Sequence, residues 1–157
     1  YFVQKINHFF IELSINNNIL TLVNSCRFLG VVFRFDLSWS EHINYVRAKL
    51  SRSLAMLYRL KYLLPLRVRK QLYFAFIHSH LTYCHLVWGT CNKTDAERVS
   101  SIQKRSLKMI SSHPPPSTDS LYKSLNVPPF SELYQLSLAA MIFREFKRDR
   151  PCSQANI

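Results

Sequence analysis

The spacing of the apolar residues changes once along this chain, close to residue 36. Before that point the apolar residues form short, β-branched runs at 9–15, 19–23 and 26–35, which are typical of strands. After it, from residue 43 to residue 57, they recur every three or four residues, which is the period of an amphipathic helix. A β part followed by helices predicts an α+β fold, with a small N-terminal antiparallel sheet or hairpin followed by a mainly α-helical bundle.

Three segments follow from this pattern. Residues 1–36 are predicted to form a β-rich segment, 37–112 a helical domain, and 113–157 a proline-rich linker with C-terminal helices. The first residue is a tyrosine, and Phe2 follows it without a cap or a targeting pattern. We therefore expect the chain to be a fragment of a longer open reading frame.

An asparagine triplet divides the first two apolar runs. Asn16 to Asn18 tolerate the left-handed backbone angles of a tight turn, so residues 9–15 and 19–23 are predicted to form a hairpin. Residues 26–35 are almost continuously apolar and are predicted to form one further strand. Gly30 lies inside that strand, where a glycine marks a bulge or a close approach of backbones.

Proline and capping signals set the limits of the helices. Ser38 with Glu41, and Thr94 with Glu97, have the spacing of a capping box, and Pro65 ends one helix and begins the next. The second helix is apolar around most of its circumference, so we expect it to lie at the centre of the bundle. The predicted helices cover residues 41–62, 66–81, 94–110, 119–125 and 131–148.

The chain is strongly basic. It has 21 Lys and Arg against 9 Asp and Glu, which gives a formal net charge of +12. An excess of this size favours polyanionic partners such as nucleic acid. Because no apolar run could span a bilayer and no signal peptide is seen, we expect no membrane partner. The cysteines lack paired spacing, which favours free, buried thiols and an intracellular setting. They are Cys26, Cys84, Cys91 and Cys152.

Catalytic residues are not predicted. Nucleotidyl transfer needs carboxylates that converge on two metal ions, and an adjacent Asp-Asp pair would supply them. The four aspartates here are Asp36, Asp95, Asp119 and Asp149, none of them beside another carboxylate. Asp36 is expected to serve a turn or the approach to a helix. The chain has no Gly-x-Ser-x-Gly motif, and its two glycines cannot form a phosphate-binding loop.

A cluster of histidines and cysteines raises the question of a metal site. Its members are His78, His80, Cys84, His85 and Cys91. Structural zinc sites use paired ligands at short spacing, and this irregular spacing fits none of the common patterns. We therefore expect core and rim residues here, with no metal and no cofactor.

Basic residues cluster on each of the first three predicted helices. One such group alone suits a solvated surface, but three positive faces with few compensating acids favour contact with phosphates. The candidate residues are Lys49, Arg52 and Arg59 on the first helix, Arg67, Arg69 and Lys70 on the second, and Lys104, Arg105 and Lys108 on the third.

Several short blocks occur in a characteristic order. They are Phe28-Leu29-Gly30-Val31, Leu37-Ser38-Trp39 with His42-Ile43, Leu57-Tyr58-Arg59-Leu60, His80-Leu81-Thr82-Tyr83-Cys84, Trp88-Gly89 and Gln103-Lys104-Arg105. In this order they resemble the segment just after the polymerase palm in reverse transcriptases of non-LTR (LINE-type, Jockey-like) retrotransposons. The likeness spans about residues 11–110.

The resemblance implies roles for two of these regions. Phe28, Leu29 and Gly30 match the primer grip at the edge of the palm, and residues 49–59 match a helix of the thumb, which closes on the template–primer duplex. It also implies partners, namely an RNA template with a DNA primer and the rest of a polymerase. The catalytic palm, with its Mg²⁺, lies upstream in that family, so no polymerase activity is expected of this chain by itself.

Two other functions remain open. The chain could be a stand-alone basic helical protein that binds nucleic acid, or a protein-interaction domain whose basic surface is only solvated. The default role of Tyr83 and Trp88 is core packing, and no other role is assigned to Cys84 or Gly89.

Overall fold

The computed structural model describes residues 14–15, 18–19, 21, 23–111 and 117–148, and it confirms the α+β fold. Short antiparallel hairpins precede a helical bundle. The strands are β1 (Ser14–Ile15), β2 (Asn18–Ile19), β3 (Ser25–Phe28) and β4 (Val31–Arg34). The helices are α1 (Ser40–Leu60), α2 (Leu66–Tyr73), α3 (Ser79–Thr82), α4 (His85–Trp88), α5 (Lys93–Ile110), α6 (Thr118–Leu125) and α7 (Phe130–Arg148), with a π-helical turn (Phe74–His78) between α2 and α3.

The hairpin predicted at the asparagine triplet is confirmed. β1 and β2 pair in antiparallel register, with Ser14 opposite Ile19 and Ile15 opposite Asn18. Residues 9–13 of the first predicted run, and residues 20 and 22 of the second, lie outside the described residues.

The prediction of one strand over residues 26–35 was wrong, because the chain reverses in its middle. Leu29 and Gly30 form a two-residue turn with φ of 46° and 81°, and Phe28 pairs with Val31 across it. Positive φ at both central residues is the geometry of a type I′ turn, whose twist matches that of paired strands. Gly30 therefore marks a hairpin turn, and the Phe28-Leu29-Gly30 block lies at its end.

Neither predicted capping box forms. The residue before α1 is Trp39, which makes no side-chain capping bond, while Asn92 precedes α5 and accepts a hydrogen bond from the Asp95 backbone N–H at 2.8 Å. Asp36 has the turn role expected of it. It accepts a hydrogen bond from the Ser38 backbone N–H, which lowers the pKa of its carboxyl group, and pairs with Arg34.

The helical segment from α2 to α3 is buried on one face only, so its predicted central position was wrong. Phe74 and Phe76 are exposed. The buried residues lie at intervals of four: Arg69, Tyr73, Ile77 and Leu81. Such a row drifts by about 40° per step around a straight α-helix. The π-helical turn, in which the Ser79 N–H donates to the Phe74 carbonyl, adds a residue to one turn and keeps the row facing the core.

One continuous hydrophobic core joins the helices. The predicted stripe of α1 is buried from Ile43 to Leu57, and α5 packs against it. The helices predicted at 119–125 and 131–148 are confirmed as α6 and α7, and Leu121 and Leu133 belong to the same core.

The Tyr83–Gly89 segment connects this core to α7. Trp88 is fully buried, as expected, and its Nε1–H donates to the Tyr83 carbonyl at 2.8 Å. Tyr83 itself is exposed, contrary to expectation. A Cβ at Gly89 would lie 2.5 Å from the His85 carbonyl and 2.9 Å from the Tyr134 ring. Glycine is therefore required where α4 approaches α7.

The cysteines differ from the prediction of buried thiols. Cys26 is exposed, Cys84 and Cys91 are half-buried, and all three are free. Cys84 has φ of 49°, which helps to end α3, and Cys152 lies outside the described residues. Among the helices of the described ranges, none combines the length and apolarity needed to cross a bilayer.

Candidate nucleic-acid interface

A cleft of about 370 Å³ lies where the β3–β4 hairpin meets α1 and α3. The side chain of Ser25 donates to Glu41 at 3.2 Å, and the Val32 N–H donates to His42 Nδ1 at 3.3 Å, so two hydrogen bonds hold the hairpin against the start of α1. The residues that line the cleft are Arg27, Leu29, Gly30, His42, Tyr45, Val46, Lys49, His80 and Tyr83. These lining residues include cationic side chains and aromatic rings but no carboxylate.

Two cations of this cleft lie within cation–π distance of the Tyr45 ring. The Arg27 guanidinium carbon is 4.5 Å from the centre of the Tyr45 ring, and Lys49 Nζ is 4.8 Å from it. Both distances fall within the range of cation–π interactions. Arg27 also donates a hydrogen bond to the Tyr45 hydroxyl. A hydrogen bond from Lys49, together with the charges of Lys49, Arg27 and Arg52, lowers the pKa of Tyr45.

The opposite side of the cleft is held by Tyr83. Its hydroxyl donates to the Leu29 carbonyl at 2.7 Å, which ties the turn of the hairpin to the end of α3. An added Cβ at Gly30 would lie 3.6 Å from the Tyr83 ring, so the space would permit a larger residue. Gly30 is favoured by its positive φ, and Tyr83 fixes the position of the turn over the cleft.

Two histidines line the cleft, of which His42 is buried and already accepts a hydrogen bond from Val32 at its Nδ1. Burial lowers the pKa of His42, and burial together with the positive charge of Lys49 lowers the pKa of His80. Both side chains are therefore mainly neutral at pH 7. The positive charge of the cleft comes from Arg27 and Lys49, both of which can reach a phosphate from the walls.

The structure brings three of the predicted binding residues together. Leu29, Gly30 and Lys49 all line the cleft. Phe28 precedes Leu29 at the same end of the hairpin, where its side chain is exposed.

Other predicted residues lie elsewhere on the helices. Arg52 and Arg59 are exposed on α1, and Lys104, Arg105 and Lys108 are exposed on α5, on the surface away from its buried stripe. Arg67 is exposed and Lys70 is half-buried on α2.

Arg69 does not belong to an exposed basic face. Its side chain is buried, and its Nη1 donates to the Met109 carbonyl at 3.3 Å. Met109 is in the last turn of α5, where carbonyl oxygens lack partners within the helix and the helix dipole favours a cation. Arg69 thus joins α2 to the end of α5, so its grouping with Arg67 and Lys70 on one surface was wrong.

Six residues of the cleft were missed by sequence reasoning: Arg27, His42, Tyr45, Val46, His80 and Tyr83. Tyr45 could have been found, because it precedes Lys49 by four residues and so lies beside it on a helix. Arg27 and Tyr83 are distant from Tyr45 in the sequence, and they line the cleft only because the hairpin and the end of α3 pack beside α1.

The histidines that lie close together in the sequence between residues 78 and 91 have different surroundings in the structure. His78 packs against Tyr73 and Phe74, His80 lines the cleft, and His85 packs against Trp88 and Phe130. Within the described ranges, no three side chains of His, Cys, Asp or Glu are arranged to hold a metal ion.

The comparisons with protein-family models, curated proteins and solved structures found no match to this chain. The interpretation of the cleft therefore depends on its own residues. Cations, aromatic rings and the His80 imidazole, with no carboxylate among the described lining residues, form a surface suited to an anionic ligand that carries flat, polar groups.

Proposed function

We propose that this chain binds template–primer nucleic acid, as the thumb and primer-grip region of a non-LTR reverse transcriptase does. The observation that supports this most directly is that the Arg27 guanidinium and the Lys49 ammonium lie 4.5 Å and 4.8 Å from the centre of the Tyr45 ring. The two cations can bind phosphate oxygens, while the ring lies beside them for contact with a sugar or base. The hairpin residues Leu29 and Gly30 border the same cleft.

The exposed Lys and Arg side chains on the helices extend this surface. Arg52 influences the pKa of Tyr45 electrostatically, so its guanidinium lies close to the cleft. The basic face of α5 adds three further cations that are free of any short bond to a carboxylate in the described ranges. Contacts of this kind position a backbone without reading its sequence, so we expect binding that depends on nucleic-acid shape and charge.

A salt titration of affinity for an RNA–DNA hybrid tests the proposal. Each phosphate contact contributes about −0.9 to the slope of log affinity against log salt on a B-form duplex. The double variant Arg27→Gln/Lys49→Gln should therefore flatten the slope by up to about 2. The triple variant Lys104→Gln/Arg105→Gln/Lys108→Gln should flatten it by up to about 3 if α5 contacts phosphates as well.

A matched control separates local contact from net charge. Lys123 and Lys147 are exposed on α6 and α7, and Lys123→Gln/Lys147→Gln removes the same charge as the cleft double variant. The control should retain the slope of the unmodified chain. An equal slope in the cleft variant and the unmodified chain, with circular dichroism showing an intact fold, would contradict the proposal.

Catalysis by this chain is not part of the proposal. Asp95 is buried and accepts hydrogen bonds from Ser40, Asn92 and Arg98, so its carboxylate is used in joining α1 to α5. Primer extension on a primed RNA template with Mg²⁺ or Mn²⁺ should give no incorporation above a control without protein.

A second candidate function has one specific observation in its favour. The outer part of α7 exposes several apolar side chains, namely Leu136, Met141, Ile142, Phe143 and Phe146. Exposed apolar groups of this extent are typical of protein-interaction surfaces. A protein-interaction domain would bind its partner with little dependence on salt, which distinguishes it from a chain that binds phosphates.

A further inference from the structure

Two tyrosines are exposed at the far end of α1 from the cleft. Tyr58 lies in the last turn of α1 and Tyr62 in the turn that follows, with 58% and 83% of their surfaces exposed. Tyr58 follows Tyr45 by thirteen residues, which corresponds to about 20 Å along a helix. Neither ring belongs to the hydrophobic core.

Lys61 connects the two rings. Its Nζ is 4.6 Å from the centre of the Tyr62 ring and 5.8 Å from the centre of the Tyr58 ring. Both distances lie within the range of a cation–π interaction. The ammonium is thereby held beside two exposed aromatic rings. We call Tyr58, Lys61 and Tyr62 the tyrosine platform.

The surroundings of the platform are positive. Arg59 adjoins it in α1, and Arg67 follows at the start of α2, both with exposed side chains. From residue 42 to residue 94 the sequence contains nine Lys and Arg but no Asp or Glu. The helices α2, α3 and α4 therefore have no carboxylate, and that of α1, Glu41, lies in its first turn, at the other end of the helix from the platform.

We propose that the tyrosine platform binds unpaired bases of a single-stranded nucleic acid. Unpaired bases expose flat faces that stack on aromatic side chains whatever their sequence, while neighbouring Lys and Arg contact the phosphates. Bases inside a duplex are covered by their neighbours and cannot stack on a protein ring. An exposed pair of rings with a shared ammonium, none of whose cations forms an ion pair in the described ranges, complements a single strand in both shape and charge.

The platform and the cleft can be tested independently, because they lie at opposite ends of α1 and use different residues. Binding of a blunt RNA–DNA hybrid reports on the cleft. Binding of a single strand whose bases can be removed chemically reports on the platform.

The experiment measures fluorescence anisotropy with two labelled strands of about 12 nucleotides, a length within the site sizes of single-strand binding proteins. One is an oligothymidylate, and the other is an abasic strand with the same phosphates. The unmodified chain should bind the oligothymidylate at least tenfold more tightly. Tyr58→Ala/Tyr62→Ala should abolish this preference, since stacking on each tyrosine contributes roughly tenfold or more. Tyr58→Phe/Tyr62→Phe should retain it, because the rings remain.

The affinity for a blunt hybrid should be the same in the alanine double variant as in the unmodified chain. Equal binding of both strands by the unmodified chain would overturn the proposal, as would a preference that survives the alanine substitutions. Competition by phosphatidylserine vesicles that depends on the same two tyrosines would also overturn it and would assign the platform to an anionic membrane surface.

Discussion

Gln103 shows how one buried polar side chain can join four parts of a fold. Its Nε2 donates to the Tyr73 hydroxyl at 3.1 Å and to the Pro128 carbonyl at 3.0 Å. Its Oε1 accepts from the Tyr122 hydroxyl at 3.1 Å and from the Phe130 N–H at 2.8 Å. Both donors and both acceptor positions of the amide are thus used, and they link α5 to α2, α6 and the start of α7.

Replacing Gln103 with leucine should strongly destabilise the protein. The substitution leaves buried hydroxyl and backbone groups without partners, each at a cost of about 1–3 kcal/mol, so we expect the free energy of unfolding to fall by about 4 kcal/mol. Urea denaturation measures the change. Gln135→Leu, at an exposed position of α7, is the control and should change stability by less than about 0.5 kcal/mol. Equal midpoints for the two variants would show that the amide network contributes little.

His85 gives the fold a defined response to acid. It is buried among Trp88, Phe130 and Tyr134, and within the described ranges neither ring nitrogen has a hydrogen-bond partner. Burial lowers its pKa from 6.5 to about 4. The unfolded chain therefore binds a proton near pH 6.5 that the folded chain accepts only near pH 4, so stability decreases as the pH falls through this interval.

A His85→Phe variant should lose much of this pH dependence. It keeps an aromatic ring in the core but has no group to protonate. Between pH 7.5 and 4.5 the unmodified chain should lose about 2 kcal/mol more stability than the variant. Urea denaturation at the two pH values measures both losses. Parallel pH profiles would mean that His85 is not the responsible group.

At the residue scale, the sequence predicted most of the apolar core but few of the polar residues in it. The turn role of Asp36 was predicted correctly, because a short acidic side chain next to a strand end has few alternatives. Gln103 and Arg69 were not recognised as buried, since burial of a polar group depends on partners that come from other helices. The position of Gln103, four residues after Val99 and four before Leu107, was the available signal.

At the scale of the elements, the β3–β4 hairpin departs most from what the sequence indicates. Type I′ turns favour Asn-Gly, and here Leu29 occupies the position of the asparagine with φ of 46°. A leucine in the left-handed region is strained by about 1–2 kcal/mol. Since nothing in the local sequence marks Leu29 as a turn residue, residues 26–35 resemble a single strand.

Leu29→Asn should stabilise the protein by about 1 kcal/mol. The leucine side chain is 72% exposed, so little packing is lost, and the Leu29 carbonyl that accepts from Tyr83 is a backbone group. Thermal unfolding measures the change. Val23→Asn, which also replaces an exposed apolar side chain but lies outside the turn, should not raise the melting temperature. A lower melting temperature for Leu29→Asn would contradict the strain argument.

The helices were easier to predict than their ends. The 3.6-residue period located α1 and α5 because each has a buried stripe, whereas α7 buries only Phe130 and Leu133. The capping boxes failed because Asn92, not Thr94, caps α5, and because Glu41 accepts a hydrogen bond from Ser25 of β3 at 3.2 Å. Such a tertiary bond competes with local capping and cannot be read from the spacing of residues in one helix.

At the scale of the whole molecule, the charge is distributed unevenly. The acid-free stretch from residue 42 to residue 94 includes most of α1, all of α2 and both short helices, while the acids lie before and after it. The candidate cleft combines residues 27–30, 42–49 and 80–83, and only the fold brings them together. The basic character of the site was therefore predictable, and its shape was not.

Like charges concentrated in this way should make stability depend on ionic strength. The Debye length falls from about 30 Å at 0.01 M salt to about 8 Å at 0.15 M, which screens repulsion among exposed cations. We expect the melting temperature to rise over this range of sodium chloride. The rise should be smaller in Lys104→Gln/Arg105→Gln/Lys108→Gln, which has less repulsion to screen. A melting temperature that falls with salt would show that favourable ion pairs outweigh the repulsion.

The bonds of Gln103 also bear on the order in which the chain is completed during synthesis. Pro128 and Phe130 follow Gln103 by 25 and 27 residues, so the ribosome must add both before the amide can be enclosed. Until both residues have been added, the Gln103 amide must hydrogen-bond to water, and the packing of α5 against α2 remains incomplete. We therefore expect the nascent helices to remain accessible to chaperones until the first turn of α7 emerges from the ribosome. Pro128 and Phe130 then complete the fold by their hydrogen bonds to Gln103.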